Sequence, residues 1–124
     1  MSSDTTRSQA NAKRDEAQHV QNEMQSKRQA IKTDIDKFQQ EIQSYEAELS
    51  DPNKDQGSVQ NDIRSYQSQL EKKQSEMNSV RDSYQDRINQ LEKEAIDLDQ
   101  KAADEEKKDA QKKSAILAAY LRRD

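Results

Sequence analysis

Between Val59 and Leu98 the apolar residues recur at alternating three- and four-residue intervals, through Val59, Ile63, Tyr66, Leu70, Met77, Val80, Tyr84, Leu91 and Leu98. That spacing predicts a helix with a coiled-coil seam along one side. One helix cannot bury such a stripe alone, and the first fifty residues supply a partner. There Ala10, Ala17, Met24, Ile31, Phe38 and Tyr45 follow one another every seven residues, with Ile35, Ile42 and Leu49 four residues after the last three. Arg14, Gln21 and Arg28 hold the equivalent places nearer the N-terminus. This stripe is therefore strong towards Leu49 and weak towards Ala10.

The two seams are separated by residues 50–57, Ser-Asp-Pro-Asn-Lys-Asp-Gln-Gly, which hold the only proline and the only glycine of the chain. Proline pushes Asp51 out of the helical region, Gly57 can take a positive φ, and Ser58 is a good N-cap for the next helix. A turn this short between two long helices makes them antiparallel neighbours. With Leu49 set opposite Val59, the seams align throughout: Tyr45 with Ile63, Ile42 with Tyr66, Phe38 with Leu70, Ile31 with Met77, Met24 with Tyr84, Ala17 with Leu91 and Ala10 with Leu98. The polar layers also match, Gln21 with Arg87 and Arg14 with Glu94, and the second is expected as an ion pair that sets register. Two layers are mismatched, Ile35 with Lys73 and Arg28 with Val80. There the long basic side chains lay their stems over the seam and send their heads to water.

The predicted fold is all-α, a long antiparallel two-helix coiled-coil hairpin over residues 9–98, with its turn at 50–57. Residues 1–8 are expected as a disordered tail, with Thr6 and Gln9 spaced for a capping box. A four-residue step from Tyr84 to Ile88 breaks the heptad and locally unwinds the supercoil. Residues 99–124 are read as a charged helical extension that projects beyond the hairpin. Continuing the heptad from Leu98 puts Lys101, Glu105, Lys108 and Lys112 at the seam positions, so the seam dissolves there. Acids precede bases at helical spacing in Asp97 to Lys101, Asp104 to Lys108 and Asp109 to Lys113, which suits a solvated helix. The extension ends in an apolar segment, Ile116, Leu117, Tyr120 and Leu121, that the hairpin register does not use. These four are the candidate partner-binding residues, and a second copy or a separate protein is the expected occupant.

Composition narrows the chemistry. Only 29% of the 124 residues are hydrophobic and 37% are charged, too polar for a compact globular core and suited to an elongated helical arrangement. The net charge of -4 is spread over 21 basic and 25 acidic residues, so neither nucleic acid nor an anionic membrane is expected as a partner. With no cysteine, thiolate catalysis and cysteine-ligated zinc are excluded. His19, the single histidine, is flanked by Asp15, Glu16 and Glu23 on what reads as an exposed polar face. No cofactor is expected. Catalysis is not expected either, because the carboxylate pairs have no cleft in which burial could separate their pKa values. No apolar run reaches the length of a membrane span, and the N-terminus lacks the apolar core of a secretory leader, so the expected location is the cytoplasm. Leaderless export is compatible with the same N-terminus.

These features point to a structural or adaptor protein that works through helical packing and oligomerisation. A second reading comes from Tyr120-Leu-Arg-Arg-Asp124, a Tyr-x-x-x-Asp spacing after the second helix of a hairpin. It resembles the C-terminal export signal of the small helical-hairpin substrates of type VII secretion, although residues 52–57 lack the Trp-x-Gly turn of that family. The unequal helices are similar in architecture to stalk proteins of type III secretion and flagellar export. The acids Glu48, Asp51, Asp55 and Asp62 near the turn are similar to the acidic tip of transcription-cleavage hairpins. The resemblance to secretion components implies a substrate, chaperone or stalk.

Overall fold

With one proline and one glycine in the chain, only the segment that holds both can interrupt a helix. The computed structural model, which describes residues 2–122, is a helical hairpin of that kind. Helix α1 spans Ser3–Glu48 and helix α2 spans Gln56–Leu121, with no strand among the described residues.

The turn closes differently from the sequence expectation. Asp55, not Ser58, is the N-cap of α2: its Oδ1 accepts from the Gly57 amide at 3.0 Å and from the Ser58 amide at 3.4 Å. Gly57 thus lies inside the first turn of α2 and has no positive φ. An Asx turn precedes the cap, with Asp51 Oδ1 accepting from the Asn53 amide at 2.9 Å. The end of α1 tightens through amide bonds from Leu49, Ser50 and Asp51 to carbonyls three residues back. Gln56 Nε2 donates to the Leu49 carbonyl at 2.8 Å and satisfies another acceptor at that end. No left-handed glycine is needed to stop α1, because Pro52 and these side chains do it.

The chain divides into two compact units. In the unit formed by residues 21–85, Ile42, Val59 and Ile63 are buried, and Tyr45, Leu49, Tyr66 and Leu70 pack against them. Tyr66 lies between two rings, stacked on Tyr45 with centroids 5.6 Å apart and tilted against Phe38 at 5.9 Å. Further along, Lys73 is part of the seam as expected, and its ammonium reaches Asp34 at 3.3 Å and Glu76 at 3.4 Å. Lys27 places its ammonium 5.1 Å from the centre of the Tyr84 ring.

The other unit comprises the residues up to Val20 and those from Asp86 onward. Its core is built from small side chains: Ala10, Leu91, Ala95 and Ala102 are essentially unexposed, and Ala17 and Ile88 are buried with them. Alanines let two helix backbones approach closely, which is how a two-helix unit covers a leucine completely. The expected tail over residues 1–8 is instead helix from Ser3. Ser2 caps it, its Oγ accepting from the Thr5 amide at 3.2 Å and its carbonyl from the Thr6 amide at 3.1 Å. Thr6, expected as the cap, is fully buried.

Candidate interaction surface

Past the Tyr84 to Ile88 step, the buried and half-buried seam positions of α2 alternate again by three and four: Ile88, Leu91, Ala95, Leu98, Ala102 and Glu105. From Leu98 the next step is four residues rather than three. The seam therefore runs through Ala102, not Lys101, and it extends past the predicted boundary at residue 98. Thr6 donates its hydroxyl to Glu105 Oε1 at 2.8 Å, and Arg7 Nε donates to Glu106 Oε1 at 2.8 Å. From Lys107 to Arg122 every residue is exposed, so the free extension begins near Lys107.

The ion pairs along this unit connect different residues from those aligned by the seams. Arg14 pairs with Asp99 rather than Glu94, and Glu94 takes Lys13 instead at 3.1 Å. Arg87 donates to Glu16 at 2.8 Å rather than meeting Gln21, which is half-buried. The reason is reach. A seam arginine leaves the seam sideways, so its guanidinium finds an acid on the flank of the facing helix rather than the residue directly opposite. Hydrogen bonding shifts the titration of these groups. Gln90, followed by Lys13, holds the Glu94 carboxyl below the usual carboxylate range, Arg14 does so for Asp99, and Arg7 for Glu106. Arg7 and Arg14 are raised in turn by the same hydrogen bonds. These pairs are partly exposed clamps along the flanks of a small apolar seam.

From Glu106 to Arg122 every residue is exposed. The apolar cluster anticipated at the end of α2 lies there, with Ile116 and Tyr120 70% exposed, Leu121 68% and Leu117 59%. Ile96 is also exposed, at 63%, and the sequence pattern gave no notice of it because it falls between the seam residues Ala95 and Leu98. Of the Tyr120 to Asp124 spacing, Arg123 and Asp124 lie outside the described residues.

Other chemistry is sparse. His19 is exposed, and among the described residues no group of three or more His, Cys, Asp or Glu side chains is placed to hold a metal ion. The surface clefts are shallow grooves along the helix pair, one lined by Gln25, Arg28, Gln29, Lys32 and Met77 and another by Gln39, Ile42, Gln43, Glu46, Gln67 and Leu70. Among the described residues no helix is long and apolar enough to cross a membrane. No protein-family profile, curated protein or solved structure matches this chain.

Proposed function

We propose that the chain is a non-enzymatic coiled-coil structural or adaptor protein that acts through protein–protein contact, with the end of α2 as its docking element. One observation carries this reading: Ile116, Leu117, Tyr120 and Leu121 stand exposed on a helix that has outrun its own partner. Burying each such side chain is worth about 1.5–3 kcal/mol, a driving force that the hairpin leaves unspent. A cluster of this kind on a chain otherwise this polar is what an interaction site requires. The hairpin supplies the rest, a helical support that holds the docking segment away from the seam.

The test is a Leu117→Asp, Leu121→Asp variant of the full chain, compared with the wild type by far-ultraviolet circular dichroism and by capture of native partners. Helicity is expected to persist while capture is lost. Unfolding of the variant would mean that the segment is core, and the docking reading would fail.

A further inference from the structure

We propose that the occupant of this surface is a second copy of the chain, paired antiparallel through α2 over residues 96–121. The inference rests on the adaptor reading and names its partner. Its starting point is a second stripe on α2. Ile96, Ala103, Ala110 and Leu117 follow one another every seven residues, and all four are exposed. On a helical wheel this stripe lies about 100° from the Leu91, Ala95, Leu98 and Ala102 seam, on a flank of α2 that α1 leaves exposed. Four residues after each member come Gln100, Lys107, Ser114 and Leu121, which completes an alternating four-three pattern.

Placing two such stripes antiparallel pairs Ile96 with Leu121, the two large ends, and leaves small or polar residues in the layers between. Ile96 of one copy meets Leu121 of the other, Leu117 meets Gln100, Ala103 meets Ser114, and Ala110 meets Lys107. Each layer occurs twice, as a two-fold interface demands. Gln100 and Lys107 are the polar members that a coiled coil uses to fix register at some cost in stability.

Charge selects the orientation independently. Residues 107–122 carry five basic and one acidic side chain, a net of +4, whereas residues 92–106 carry seven acidic and two basic, a net of -5 that Lys13, Arg14 and Arg7 of α1 reduce to -2 by pairing with Glu94, Asp99 and Glu106. This local asymmetry is hidden in the chain's overall balance. The antiparallel overlap lays the basic stretch of each copy along the acidic stretch of the other, and a parallel one would set like against like. On the flanks it brings Lys113 to Glu106 twice and Arg122 towards Asp97. Tyr120 covers one edge of the contact. Ile116 lies off the stripe, on the side that continues the hairpin seam.

The experiment uses the full chain. An Ile96→Cys chain mixed with a Leu121→Cys chain and mildly oxidised is expected to give the mixed disulfide in excess of either like-with-like product. Sedimentation of the wild type should show a dimer that dissociates as salt rises, because the overlap is electrostatic. Lys113→Glu should weaken dimerisation at least tenfold, and adding Glu106→Lys should restore the affinity, with the Glu106→Lys single variant measured alongside because Glu106 also holds Arg7. The proposal is overturned by a chain that stays monomeric at about 100 µM in low salt, at a Debye length near 30 Å, or by Leu121→Cys chains that crosslink mainly to themselves. A monomeric chain that still captures a different protein through Leu117 and Leu121 overturns the inference and leaves the adaptor reading standing. A monomeric chain that instead binds phosphatidylserine vesicles through the basic stretch overturns both.

Discussion

The Thr6 hydroxyl donates to Glu105 Oε1 at 2.8 Å, joining residues 99 positions apart in sequence. Thr6 is the one buried polar residue in the core of the described chain, and its hydroxyl also lies 3.2 Å from the Ser2 carbonyl. The contact lies near the end of the stretch in which α1 covers α2. Thr6→Val removes a hydrogen bond to a charged, half-buried carboxylate and should cost about 1–3 kcal/mol despite its matching shape. Urea denaturation gives the magnitude. Hydrogen exchange should place the loss in residues 3–20 and 95–106, and an unchanged midpoint would mean that the pair contributes nothing.

Leu91 and Leu70 are both seam leucines, yet Leu91 is wholly unexposed and Leu70 only half-buried. Leu91→Ala should therefore cost about 2–5 kcal/mol, as cavity-forming truncations do. Leu70→Ala should cost clearly less, since part of its surface already meets water. The reverse order in denaturation midpoints would show that close packing of alanines around Leu91 is not what holds that unit.

Gly57 sits in the first turn of α2 without a positive φ, and a Cβ there would meet only Asp55 Oδ1, at an ordinary 3.4 Å. Gly57→Ala is expected to stabilise the chain by about 0.4–1 kcal/mol by restricting the unfolded state. Had the glycine been a left-handed turn residue, the same change would destabilise. Removing the cap with Asp55→Ala should cost about 0.5–2 kcal/mol, whereas Ser58→Ala should have little effect.

Glu94, Asp99 and Glu106 are held below the usual carboxylate range by Gln90 with Lys13, by Arg14 and by Arg7 respectively. A carboxylate whose folded pKa is lowered stabilises the fold while ionised, and the contribution begins to fall as pH drops through about 4 and is lost below the lowered folded pKa. An Arg7→Ala, Arg14→Ala variant should thus be less stable than the wild type at neutral pH. The gap between the two urea midpoints should narrow progressively as acid protonates these carboxylates. A gap that stays constant into acid would assign the effect of the arginines to packing rather than charge.

Much of this architecture was legible in the sequence because a helix repeats every 3.6 residues and a seam must follow that repeat. The spacing from Val59 to Leu98, the matching stripe from Ala10 to Leu49 and the lone Pro-Gly segment determined two helices, one turn and a hairpin. The apolar quartet at Ile116, Leu117, Tyr120 and Leu121 was legible for the same reason, as four large side chains at helical spacing after a charged stretch.

Only the tertiary structure decided where the pairing stops and which charges meet. After the Tyr84 to Ile88 step the phase of the heptad is ambiguous by one residue, and burial of Ala102 rather than Lys101 resolved it. Arg14 chose Asp99 and Lys13 took Glu94 because a flexible side chain bonds to whatever lies within reach across the groove, which residue numbers do not encode. At the helix ends, several residues could each serve as a cap: Ser2 or Thr6, Asp55 or Ser58. Folding used Ser2 because Thr6 was needed against Glu105, and Asp55 because Pro52 had already turned the chain before Gly57.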